Sequence, residues 1–486
     1  MRSFVLVAAL AAVACGKAKP ASNDTTGAGG QPVGVDDGGG GSAGDDGAAP
    51  ELPPGPDSLE GVTAMFPVAG GDGLCPDPPL RLTFSAPPTL GTIGKILVFA
   101  TADPTMPVAT VDMAAAMVTD TIGASTFNMQ RPVYVDGNDA VIYLKTHALG
   151  YGQSYFVTID EGAIQGPGGT RLSLHDPTAW TFSTKAAAPA SLASLTVSLD
   201  GSGDFCSVQG AFDALPSPSN DPVLITLKSG TYHEIVHFTA KNNVTLHGED
   251  RKLAIIAGTN NNNLNGTSRG RSLVGADSLS GLVVENLTIH NLTPQNGSQA
   301  EALRLSGCDK CVVRDADILS LQDTVQWQGR IYASNCFIAG NVDFVWGNGA
   351  VYFSSCELKT VGRAGYEVQA RNAANAYGYV FVDCKLTSDP GLTGNSLARI
   401  DATAYPASHV AYINCELGSH ISPAGWTITN ATDTSMLRFW EYQSVDPTGA
   451  PIDVSKRIAG STQITPDQAA MMRDPTVVLG GWQPPM

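Results

Sequence analysis

The sequence predicts an all-β protein: a parallel β-helix that follows an antiparallel β-sandwich and a polar N-terminal tether. Three observations predict it. With 53 glycines, 31 prolines and only 15% charged residues, turn formers outweigh helix formers other than alanine, which favours β structure over helix bundles. Between residues 59 and 185, short alternating runs are separated by Pro, Gly and Asp clusters, the pattern of a sandwich. After residue 195, strands recur with a shared ending, the mark of a solenoid whose coils stack.

The chain of 486 residues is long enough for two or three domains. Its net charge of −17 excludes nucleic acid as an expected partner, because phosphate binding needs an excess of Lys and Arg. The N-terminus, MRSFVLVAALAAVACGKAKP, has one cation at Arg2, an apolar run from Phe4 to Val13 and small residues before Cys15. This is a secretory signal, too short to span a membrane. The cysteine directly after the run resembles a bacterial lipoprotein signal, in which residues 1–14 are removed and Cys15 is lipidated. Ala12 stands where such signals usually carry Leu, and ordinary secretion is the alternative. An N-terminal core helix is the bland reading, but nothing after the run continues the pattern. Residues 15–58 are mostly Gly, Asp, Ala and Pro; such a segment cannot offset its ordering entropy and reads as a flexible tether. The expected location is therefore outside the cytoplasm, lipid-anchored at the cell surface or secreted, with membrane contact through the anchor alone.

The sandwich, 59–185, is read from LRLTFSAPP, KILVFAT, AVIYLKT, SYFVTID and AWTFSTK. It resembles the bacterial Ig-like domains that precede secreted enzymes. No ionisable cluster stands out in it, so its expected role is spacing or attachment, with glycan binding as the alternative. Residues 186–194, AAAPASLAS, form a linker, and 195–486 form the solenoid. There LVVENLTIHN, CVVRDADILS, IYASNCFIAG, VYFSSCELKT, YVFVDCKLTS and VAYINCELGS share one form: an apolar run, a polar residue, a small or apolar residue, then an alternating strand. Cys336, Cys356, Cys384 and Cys415 are separated by 20, 28 and 31 residues, which predicts a stacked, buried ladder of thiols. Cys308 and Cys311 could be a metal half-site, but no second CxxC completes one. A local disulfide or two packed thiols is the better reading.

Asp323 and Asp343 are the only acidic residues between Ser320 and Gly349, and lie 20 residues apart. A β-helix coil takes roughly 20 to 25 residues and coils lie about 4.8 Å apart, so this spacing makes the two carboxylates neighbours. Gln299 lies 23 residues before Gln322, which adds two amides to the same patch. Adjacent carboxylates do not both ionise easily, so one serves as acid and the other as nucleophile. Glutamine N–H groups suit a developing oxyanion, and the reaction class is acyl transfer from an ester. By spacing alone, turn aspartates at rung ends are the competing explanation.

Residues 195–486 resemble pectin methylesterases of the right-handed parallel β-helix class. The matching motifs are DGSGDFCSVQGAFDALP, GTYHE, QAEAL, LQDTV, DFVWG and INCELGSHISPAGW, in the family's order. The resemblance implies that Asp343 is the nucleophile and Asp323 the general acid and base. It further implies that Gln299 and Gln322 bind the oxyanion and that Arg399 orients Asp343 or the substrate. It implies methyl-esterified pectin or a similar polyuronate as partner, a monomer, and neither cofactor nor metal. The family usually writes Gly-Arg-Pro-Trp where this chain has ARID, so Asp401 replaces a cleft Trp. Val325 and Gln326 replace Leu-Tyr, and Trp346 replaces the second Phe of the nucleophile motif. Trp346 and Trp327 are the candidates to restore sugar stacking, a core role for each being the alternative. In GTYHE, Tyr232 should pack and Glu234 should hold a turn or line the cleft. The rival functions are a related ester or thioester hydrolase and a non-catalytic glycan-binding β-helix. A lyase would need clustered acidic Ca²⁺ ligands, which the motif region lacks.

Overall fold

The computed structural model describes residues 56–431 and 433–485. The expected signal peptide, Cys15 and all but the last three residues of the tether lie outside the described residues.

All five runs noted between 59 and 185 form strands. Val62–Phe66, Leu80–Phe84, Asp139–Ile142 and Val133–Asp136 build an antiparallel sheet. A second sheet contains Gly71–Leu74, Thr181–Thr184, Ser154–Ile159, Lys95–Ala100 and Asp103–Asp112. Leu80, Leu82, Val98, Val157 and Trp180 fill the core of this region, as alternation predicts. The strand with two prolines, Pro104 and Pro107, lies at the sheet edge, where a missing N–H costs no ladder bond.

The solenoid is built on a seventeen-stranded and an eight-stranded parallel sheet. The repeated polar residue is the corner of each coil: Asn286, Asp315, Asn335, Ser355, Asp383 and Asn414 have φ between 50° and 55°. Short polar side chains, Asn and Asp above all, tolerate this left-handed geometry best. The next residue points inward, so Leu287, Ala316, Cys336, Cys356, Cys384 and Cys415 are all at most 2% exposed. The four cysteines are unpaired and buried. Beside them runs an aromatic stack, Trp327 on Phe353, Phe353 on Phe381 and Phe381 on Tyr412, with centroids 5.4, 4.3 and 4.7 Å apart.

Cys308 and Cys311 are joined in a local disulfide, and Cys75 is joined to Cys206, tying sandwich to solenoid. The two parts cluster as one compact unit over Pro54–Met486. The short helix Val208–Asp213 is capped by the Ser207 side chain, and its Phe212 ring stacks on Phe238 at 3.8 Å. Tyr232 is fully buried. The Glu234 carboxylate accepts from the N–H groups of Val208 and Gln209 at 2.7 and 2.9 Å. Glu234 therefore braces a helix start, where a carboxylate meets unpaired donors and the positive dipole end.

Candidate active site

Strands Leu303–Arg314, Val325–Ser334 and Val342–Gly347 run in parallel, with Leu303 opposite Val325 and Val325 opposite Val345. Continued back along the chain, this register aligns Glu301, Asp323 and Asp343 in one column. The Gln322–Val342 bridge and a 3.0 Å bond from Asp323 N–H to Val342 C=O hold it there. Both aspartates have left-handed φ, 66° and 48°, which short polar side chains such as Asp tolerate best.

Asp343 is 5% exposed. Arg399 Nε donates to its two oxygens at 2.7 and 3.0 Å, and Arg399 Nη2 also donates to Oδ2. Gln369 Nε2 adds a bond of 3.2 Å. Arg371 Nε in turn donates to Gln369 Oε1 at 2.6 Å, fixing the amide so that its N–H₂ faces the carboxylate. The carboxylate thus meets a guanidinium fork on one side and an oriented amide on the other.

Asp323, 7% exposed, has the opposite surroundings. Burial, then the Glu301 charge, push its carboxyl well above the usual carboxylate range; Arg271 opposes them, and Asp343 adds a further push. Arg271 Nη2 bonds Glu301 at 2.7 Å and Asp323 at 2.8 Å, while its Nε meets both Glu301 oxygens at 2.9 Å. Glu301 is fully buried, and burial raises its own carboxyl as well. Two neighbouring acids with opposed supports separate a proton donor from a nucleophile.

Sequence reasoning missed Arg271, Glu301, Gln369 and Arg371. One signal was present: Glu301 stands between the apolar residues Ala300 and Ala302–Leu303, and a carboxylate buried there requires a cation. Nothing in the sequence said which arginine supplies it.

Gln299 and Gln322 are both partly exposed. Ala300 N–H donates to Gln322 C=O at 3.1 Å, so Gln299 stands one coil back and one residue out of step. Among the described residues neither side-chain amide has a hydrogen-bond partner, which leaves both free to donate.

Two expectations about substrate contacts, those for Trp327 and Trp346, need correction. Trp327 is fully buried in the aromatic stack and meets no substrate, because it shares the inward parity of Val325. Trp346 is 6% exposed, with the Arg271 and Arg371 guanidinium groups 5.6 and 4.7 Å from its ring centre; it packs the arginines and offers little surface to a sugar. The Asp401 carboxylate is engaged locally, accepting from Thr403 N–H, Ala404 N–H and Asn430 Nδ2 at 3.0, 3.2 and 2.8 Å. The turn it forms carries Tyr405, whose N–H bonds Asp401 C=O at 2.9 Å. Partly exposed aromatic rings beside the carboxylates are Tyr405, 5.6 Å from Arg371, and Tyr366, 4.8 Å from Arg399.

The pectinesterase family model matches residues 194–477. The chain is 32% identical over 262 residues to "Pectinesterase 2" of Olea europaea, covering 51% of this chain and 69% of that one. It is 27% identical over 286 residues to "Pectinesterase 31" of Arabidopsis thaliana, covering 56% and 88%. The structure titled "Pectin methylesterase from Carrot" superposes with a TM-score of 0.54 at 27% identity, over 61% of this chain and 95% of that one. Matched over more than half its length, the chain belongs to the pectinesterase family and is a carboxylic ester hydrolase.

Proposed function

We propose that the protein removes methyl groups from the esterified carboxyls of pectin through an acyl-enzyme on Asp343. The observation that carries this reading is the column of Asp323 and Asp343 with opposed supports: Arg399 on Asp343, burial and Glu301 on Asp323. The Asp343 carboxylate attacks the ester carbonyl, and the amide N–H groups of Gln299 and Gln322 receive the oxyanion. The carbon–methoxy bond then breaks, and Asp323 delivers its proton to the departing methanol. As a carboxylate, Asp323 next takes a proton from water, whose oxygen attacks the acyl group and returns Asp343 to its starting state. Tyr366 and Tyr405 give the sugar rings surfaces to pack on, and Arg371 offers a cation to neighbouring free carboxylates. No step calls on a metal or cofactor.

The test is methanol release from highly methylated pectin. The wild type should release methanol, with EDTA present or absent, and Asp343→Asn should lose at least about a thousandfold in kcat while keeping its circular dichroism. Near-full activity in Asp343→Asn would remove the nucleophile assignment. Release from thioesters in place of pectin would move the substrate to the thioester class. Export on a lipid at Cys15 is part of the same proposal, and fatty-acid labelling that survives in Cys15→Ala would refute it.

A further inference from the structure

The hairpin Met117–Ile122 and Ser125–Gln130 pairs only with itself, apart from both sandwich sheets. Its buried side chains, Ile122 and Phe127, belong to the solenoid core and not to the core of the sandwich. The Phe127 ring lies 4.5 Å from that of His237. At the turn, Gly123 has φ of +52°, and a Cβ there would overlap the His237 carbonyl. The hairpin is thus seated on the solenoid strand Val236–Thr239.

Beyond that seat it grips one loop, 259–273. Asn128 N–H donates to Asn265 Oδ1, Asn265 Nδ2 donates to Asn128 C=O, both at 2.9 Å, and Asn128 Nδ2 donates to Leu264 C=O at 3.0 Å. Asn265 Nδ2 also donates to Asn260 Oδ1 at 2.8 Å. Asn260 Nδ2 in turn donates to the carbonyls of Gly270 and Ser272, at 2.8 and 2.7 Å, on either side of Arg271. The same loop holds the Gln299 segment, through Asn262 N–H to Gln299 C=O at 3.0 Å and Asn263 N–H to Ser298 Oγ at 3.1 Å.

We propose that this hairpin of the N-terminal sandwich is a working part of the active site, holding the 259–273 loop so that Arg271 meets Glu301 and Asp323 and Gln299 keeps its place. The proposal rests on the reading above that Asp323 is the proton donor. A loop without strand or helix pays the backbone entropy of ordering with no ladder of its own to offset it, so its geometry depends on what grips it from outside. The sandwich is then a brace, which a spacer or attachment module would not be. Arg271 and Asn128 are positioning residues acting through Asp323. The charged groups that face or surround Asp323 are Glu301, Arg271, Asp343, Arg371 and Arg399, with His237 behind the loop.

The test uses the full chain carrying Asn128→Pro. Asn128 directs its N–H and C=O at Asn265, away from its hairpin partner Thr119, so proline breaks the clasp without removing a hairpin ladder bond. Asn265→Leu breaks the same clasp from the loop side and serves if the proline variant fails to fold. Val135→Ala, on an exposed strand of the sandwich, is the control. Hydrogen exchange in 259–273 should quicken at least about tenfold in both clasp variants. With pectin as substrate, kcat should fall about five- to tenfold with KM within twofold. The alkaline limb of the pH–rate profile should move upward, because Asp323 loses a cation that favours ionisation. Unchanged exchange overturns the brace. Loosened exchange with unchanged kcat and pH limb overturns its link to the site. If the wild type releases no methanol, the esterase reading has failed, and the exchange result alone decides whether the hairpin holds the loop.

Discussion

Replacing Glu301 by Gln tests the electrostatics of the site most directly. Glu301 and Asp323 share one guanidinium nitrogen at 2.7 and 2.8 Å, so the nearest oxygens lie no more than about 5.5 Å apart. At that distance and an effective dielectric of about 20, two like charges repel by about 3 kcal/mol, or about two pH units. Arg271 offsets part of this, so removing the Glu301 charge should lower the proton affinity of Asp323 by about one to two pH units. The variant also leaves Arg271 to Asp323 alone, which acts in the same direction. In the proposed mechanism Asp323 donates its proton as methanol leaves, so the alkaline limb of kcat/KM should fall by that amount. The assay is methanol release by a coupled alcohol oxidase across the pH range, with thermal melting as the check on folding. An alkaline limb that stays in place or rises would refute the account of how Asp323 holds its proton.

Three further outcomes are expected. Arg399→Ala removes three of the four side-chain bonds to Asp343; with Arg399 side-chain exposure of 39% discounting the pair, kcat should fall about a hundredfold, and a loss under threefold would take Arg399 out of the site. Trp327→Ala should cost about 3–5 kcal/mol of stability by opening a cavity in the aromatic stack; calorimetry and the pectin KM separate this from a substrate role, which a large KM rise without destabilisation would restore. Glu234 is half-buried, and its desolvation raises it to about 7 from 4.5. Its contribution to stability is therefore complete below about pH 4.5 and is lost as pH rises to about 7, by about 3 kcal/mol; in Glu234→Gln this part of the pH dependence of melting should vanish.

The solenoid was legible because its period is local. Each coil needs one left-handed corner and one small or apolar residue after it, and Asn335 with Cys336 or Asn414 with Cys415 states both in two letters. The same period turns a spacing of 20 residues into contact between coils, which is why Asp323 and Asp343 could be paired from the sequence. Trp327 was misread although the signal was there: Val325 and Trp327 share one parity of a strand, and that parity faces inward.

Determined by the sequence itself were the all-β class, the strand runs, the cysteine ladder and the pairing of Asp323 with Asp343. The tertiary structure alone decided what surrounds them. Arg271 sits in a loop with no period, so nothing local ties it to Glu301, 30 residues on, or to Asp323, 52 residues on. The hairpin that grips the loop lies farther still in sequence, with Asn128 and Asn265 separated by 137 residues. Stacked coils convert sequence distance into contact by a fixed rule, whereas loops and docked domains follow none, and their contacts exist only once the chain is folded.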